Sequence, residues 1–166
     1  QSNCKPSGII IKDCEAIFIE KYYRPFRYHF FNGDVTMELK RKEHWKNFDD
    51  YLKDLQKNYL QRAKKILLAF NTVEIKELNA DEIKMNAVQI EKLYWNVVNK
   101  QTVKLGTVNA AYFYELKKDL KQNFEFKGLY WQGVLVGFYT YIFYDSKMET
   151  HYIGLDYEAN KKFKLY

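Results

Sequence analysis

Three side chains near the end of the sequence are of the types needed to move a proton: Glu149, His151 and Tyr152. If 148–156 is a strand, Glu149, His151, Ile153 and Leu155 face one way, and Met148, Thr150, Tyr152 and Gly154 face the other. His151 is the natural general base, because an unperturbed imidazole titrates near neutrality. A single His on a strand is also commonly structural. Glu149 can orient the ring or stand in solvent. Tyr152 can supply a proton or a hydrogen bond, but it is one of 15 tyrosines, most of which must serve the core or the surface. Gly154 either lets a ligand approach the backbone closely or relieves crowding beneath Trp131 or Tyr139. Metal chemistry is not expected. Cys4 and Cys14, with His29, His44 and His151, show no zinc spacing. Two cysteines are too few for a disulfide framework, so a reducing, cytoplasmic setting is the simplest expectation.

The charge points away from nucleic acid. The 166 residues carry 27 Lys+Arg against 21 Asp+Glu, net +6. Only Arg24, Arg27, Arg41 and Arg62 are arginines, the residue that makes forked contacts to phosphates and bases. Aromatic residues crowd 130–144, yet the cations near them are only Lys127 and Lys147. Single-strand binding needs a cationic track beside its stacking rings. DNA is therefore not an expected partner. No apolar run approaches the roughly 20 residues of a membrane-spanning helix. Residues 1–70 hold 14 cations and 9 anions (net +5), and 71–166 hold 13 and 12 (net +1). That imbalance suggests two structural units joined near Asn71.

The elements that must position these groups are read from periodicity. Ile9–Ile11, Ala16–Ile19, Phe26–Phe31 and Val35–Leu39 read as strands, the last two joined by Asn32-Gly33-Asp34, a strong hairpin signal. Apolar residues from Phe48 to Phe70 recur at helical spacing, predicting one long helix over 47–70 capped by Asn47. Its Arg62, Lys64 and Lys65 either complement the helix dipole or meet an anion. A short strand follows at 72–78. Asn79 and Glu82 then form a capping box opening a helix to about Asn99, with Ile83, Ala87, Ile90, Tyr94 and Val97 inward. A third helix spans about 108–122, with Tyr112 or Phe113 inward. A β-meander closes the sequence: a strand to Trp131, a Gln132-Gly133 turn, a strand over 134–144 apolar on both faces, and a return over 148–156. A final short helix is capped by Asp156. Its barely two turns are marginal alone, which predicts that the natural chain continues.

From Thr72 onward the order strand, helix, helix, three antiparallel strands, helix resembles the first half of the GNAT acyltransferase fold. Gly133–Tyr141 resembles that family's third strand and Thr150–Tyr157 its fourth. Phe48–Leu55, followed by Tyr59 and the basic Arg62–Lys65, is similar to a helix of the Fem-type peptidoglycan-biosynthesis acyltransferases, which carry two such units in tandem. The resemblance implies an α+β (α/β) chain with an antiparallel β-meander flanked by helices. Residues 1–70 would be the C-terminal part of a first unit and 71–166 the N-terminal half of a second. It also implies a slot beside the 148–156 strand for an acyl donor.

What the resemblance implies for chemistry is N-acyl transfer from acetyl-CoA or another acyl donor to an amine of a small molecule or cell-wall precursor. His151, Glu149 and Tyr152 would be catalytic. Gly154, Asp156, Asn160, Lys161 and Lys162 would lie at the donor site, without a metal. Many relatives hold the donor pyrophosphate on a glycine-rich loop after the fourth strand. Here 156–162 contains no glycine, and Asp156 and Glu158 repel phosphate, partly offset by Lys161 and Lys162. Fem-type relatives use aminoacyl-tRNA donors and also lack the standard loop. The fragment alone would be inactive, with packing against a missing C-terminal part or an oligomer completing it. The alternative is a non-catalytic binding or scaffold module of the same fold.

Overall fold

A computed structural model describes residues 37–165 apart from Val103 and Leu105, together with Lys21 and His29. The chain divides into two compact units, 1–43 and 44–166. Every element described below lies in the second. The division falls between Glu43 and His44 and not near Asn71, because the helix ending at Phe70 packs into the second unit: Phe70 joins the apolar cluster of Val73, Leu129, Val136 and Phe163. The strands expected at Ile9–Ile11, Ala16–Ile19 and Phe26–Phe31, and the Asn32-Gly33-Asp34 turn, lie outside the described residues. Of the expected strand at 35–39, Met37 and Leu39 are described; both are exposed and outside any strand.

The helix expected over 47–70 is two helices, α1 (Phe48–Lys53) and α2 (Lys57–Phe70). Asn47 does cap the first, in a capping box with Asp50. The break has a local cause. Backbone N–H groups of Asp54 and Leu55 bond three residues back, to Tyr51 and Leu52, tightening the last turn. The Asp54 carboxylate meanwhile accepts from the Trp45 indole and contacts His44 Nε2, each at 2.8 Å, which holds the turn against the buried Trp45. Arg62, Lys64 and Lys65 consequently lie in the middle of α2, exposed, and its last turn carries no basic residue. Dipole complementation does not explain them.

Next come β1 (Glu74–Glu77), α3 (Ala80–Met85), α4 (Ala87–Val98) and α5 (Ala110–Leu120). Asn79 and Glu82 form the expected capping box. The helix expected to run unbroken to Asn99 is interrupted at Asn86. There the Glu82 carbonyl accepts both the Asn86 N–H at 3.0 Å and the Asn86 side-chain amide at 2.8 Å, and Asn86 turns to φ −93° and ψ 11°. The meander follows as β2 (Phe124–Trp131), β3 (Val134–Tyr144) and β4 (Lys147–Leu155), then α6 (Tyr157–Phe163). The β2–β3 turn places Gln132 and Gly133 at φ 50° and 77°, the left-handed region that suits a tight hairpin and there favours glycine.

The result is a four-stranded antiparallel sheet in the order β1-β2-β3-β4, an α+β arrangement. Helices α3–α5 cover one face. Their Ile83, Ile90, Leu93, Tyr94 and Phe113 meet Phe124, Phe126, Leu135 and Phe138 of the sheet. Phe126 and Phe138 stack at 4.8 Å, and Phe113 meets both edge-on at 5.7 and 5.5 Å. Truncating so buried a phenylalanine costs about 3–5 kcal/mol. On the opposite face, Phe163 and Ala159 of α6 and Phe70 of α2 cover Val136 and Leu129. Both faces of β3 are thus apolar for a reason found within this unit.

Strand β4 pairs with β3 along one side, from Gly137↔Leu155 to Tyr144↔Lys147. No described strand pairs with its other edge. The slot expected beside β4 therefore has β4 as one wall, and no described strand supplies a second. Among the described residues no helix is long and apolar enough to cross a membrane.

Candidate active site

The site is built on a defect in the sheet. Tyr139 pairs with Ile153 but Tyr141 pairs with Thr150, so Thr140 alone stands opposite both His151 and Tyr152. That is a β-bulge, one extra residue on β4. It overturns the facing expected from strict alternation, because the inserted residue resets the pleat. The His151 and Tyr152 rings both reach Tyr112 of α5, with centroids at 5.7 and 6.0 Å, so they share the helix-covered face. Ile153, expected beside His151, instead pairs with Tyr139, part of the apolar cluster on the far side.

Thr140 is buried, 1% exposed. Its hydroxyl accepts the Tyr152 N–H at 2.8 Å and lies 3.3 Å from both the Tyr152 carbonyl and His151 Nδ1. It thereby satisfies backbone groups that the bulge takes out of register. The other imidazole nitrogen, Nε2, is 3.0 Å from the Tyr112 hydroxyl. A Thr140–His151–Tyr112 chain thus runs from the sheet to α5. Phe124 and Tyr152 close around the ring, at centroid distances of 6.1 and 4.4 Å.

Burial lowers the affinity of His151 for a proton below the ordinary imidazole value, and the charge of Glu149 offsets this only in part. The ring is therefore neutral at pH 7, as a base must be before it acts. Burial, aided by Tyr152, pushes the Tyr112 phenol up, and burial with Tyr94 nearby does the same for Tyr152. Both remain protonated donors. Of the two readings of Glu149, the solvated one holds, since the side chain is exposed; the groups that hold the ring are Thr140 and Tyr112. Tyr152 is packed edge-on among Tyr94, Tyr112 and Phe113.

The residues expected at a donor site cluster at the end of β4 and on α6. Gly154 lies under the Phe138 ring, into which a Cβ there would run. Its missing side chain makes room for Phe138, not for Trp131 or Tyr139. The Asp156 carboxylate accepts the N–H groups of Glu158 and Ala159 at 2.9 and 3.0 Å, occupying the start of α6 with a negative charge. Lys161 pairs with Glu158 at 2.7 Å, and Lys162 sits 4.2 Å above the Trp131 ring. Asn160 is half-buried in the same helix. Lys100 of the segment after α4 lies 3.4 Å from the Tyr157 ring centroid. No group of three or more metal-ligating side chains is assembled among the described residues.

Tyr112 and Thr140 are the partners that sequence reading missed as site residues. Tyr112 had a usable signal: helical spacing places it beside the inward Phe113. Thr140 had a weaker one, a lone hydroxyl in the apolar run of 134–144. No protein-family model, curated protein or solved structure matches this chain.

Proposed function

We propose that the chain is part of a GNAT-like N-acyltransferase, moving an acyl or aminoacyl group to the amine of a small molecule or cell-wall precursor in the cytoplasm. The observation that carries the reading is an imidazole, its proton affinity lowered by burial, held at a bulge in the sheet's last described strand with a phenol 3.0 Å from its Nε2. A base and a proton carrier so placed can assist acyl transfer to an amine. The amine nitrogen attacks the donor's carbonyl carbon and a C–N bond forms. The bond from that carbon to the leaving group then breaks, and its electron pair departs with the leaving group. The proton shed by nitrogen passes towards His151 Nε2 through the Tyr112 hydroxyl, and the leaving group takes up a proton in turn. The element order from β1 to α6 supports the fold, and the last strand with α6 supplies the donor side, at Gly154, Asp156, Asn160, Lys161 and Lys162.

A second reading is favoured by one observation. Asp156 already fills the position at the start of α6 where a pyrophosphate would bind. A scaffold or binding module of the same fold needs no such anion site. Calorimetry of the full-length protein with acetyl-CoA and with aminoacyl donors separates the two. Saturable heat with any acyl donor supports the transferase. Silence across donors supports the module.

A further inference from the structure

We infer that Thr140 is a positioning residue that fixes the His151 tautomer, holding the proton on Nδ1 and leaving the Nε2 lone pair for the Tyr112 side of the site. The inference follows from counting hydrogens around one buried hydroxyl. Thr140 Oγ1 has a single proton to give and three neighbours: the Tyr152 N–H, the Tyr152 carbonyl and His151 Nδ1. The N–H at 2.8 Å can only donate to it. The carbonyl can only accept. If the hydroxyl proton serves that carbonyl, the remaining Oγ1 lone pair must meet a donor, and the imidazole supplies one only as Nδ1–H. Nε2 is then the acceptor, and the Tyr112 hydroxyl at 3.0 Å is its donor. Every group in the chain is satisfied. The opposite assignment spends the threonine proton on Nδ1, leaves the Tyr152 carbonyl without it, and turns Nε2 into a donor that cannot take a proton from a substrate.

The same hydroxyl therefore serves the bulge and the base together. Among the described residues, the groups facing the ring are Tyr112 from α5, Thr140 from the adjacent strand β3, Phe124 from β2, and Tyr152 and Glu149 from its own strand. Of these, only Thr140 reaches Nδ1.

Thr140 bears on catalysis only if His151 is the base proposed above, but the tautomer can be read without turnover. Nitrogen-15 chemical shifts of His151 in the intact protein above pH 7 should show a protonated Nδ1 and a pyridine-type Nε2. Thr140→Ser, which keeps the hydroxyl, should give the same pair of shifts. Thr140→Val should lose the bias and populate Nε2–H. A wild-type ring protonated on Nε2 overturns the assignment. A Val variant that folds and keeps Nδ1–H overturns the role of Thr140. If the Val variant does not fold, the wild-type and Ser shifts decide the question. A protein with Nδ1–H that transfers no acyl group keeps the positioning and removes the transferase reading.

Discussion

His151 Nε2 lies 3.0 Å from the hydroxyl of Tyr112, a contact that ties the last strand of the sheet to α5 across 39 residues of sequence. It joins a base with lowered proton affinity to a phenol that burial keeps protonated.

Tyr112→Phe removes one half of that contact and leaves the ring packing in place. The expected loss of stability is about 1 kcal/mol, the net value of one partly buried hydrogen bond. Urea denaturation measures it. A loss above roughly 3 kcal/mol would mean that the hydroxyl does more than close this contact.

The lowered proton affinity of His151 makes stability depend on pH. Its folded value lies below the ordinary 6.5, so the unfolded chain binds a proton that the folded chain does not. Well above 6.5 both states are neutral and the group contributes nothing to the slope. As pH falls through 6.5 towards the folded value, stability is lost. The carboxylates held low by partners (Asp50, Glu77 and Glu82) act only further down, around and below their ordinary values of 3.8 to 4.5. Denaturation curves at several pH values from 5.5 to 7 should slope upward with pH in the wild type and more shallowly in His151→Gln. Equal slopes count against a buried neutral imidazole.

Gly154→Ala should be destabilising because the new methyl meets the Phe138 ring. Overpacking of this kind costs roughly 1–3 kcal/mol. In Phe138→Leu the same alanine should cost less, since the two positions share one space. Additive losses in the double variant would show that Phe138 is not the obstacle.

Much of this fold is legible in the sequence, and the reasons for the rest are physical. Capping boxes at Asn47 and Asn79 are local, so residue types at fixed spacing reveal them. The Gln132-Gly133 turn is local too. The helix breaks at Asp54 and Asn86 are harder to see, because each comes with a side-chain bond, to the Trp45 indole or to the Glu82 carbonyl, that apolar periodicity does not register. The site was half legible. His151 stands out by residue type, but a bulge leaves no mark on a period-two pattern, so strict alternation sets His151 and Tyr152 on opposite faces and does not single out Tyr112 or Thr140. Spacing alone sets Glu149 beside His151, whereas the groups that hold the ring come from another strand and a helix.

Asp156→Ala should remove the cap of α6 and cost about 1 kcal/mol. Asp156→Asn, which keeps an acceptor, should cost much less. If an anionic donor does bind here, the Asn variant should bind it more tightly than wild type, because one repelling charge is gone. Calorimetry with acetyl-CoA reads that change. Unchanged affinity would place the donor phosphates elsewhere.

The most direct test of the central claim is amide formation by the full-length protein, followed by mass spectrometry with acyl donors and amine acceptors, comparing wild type with His151→Gln. General-base catalysis predicts that the wild type forms product and that the variant, folded and still binding donor, is slower by about 100-fold or more. Product formed at equal rates by both, or by neither with any donor, contradicts it.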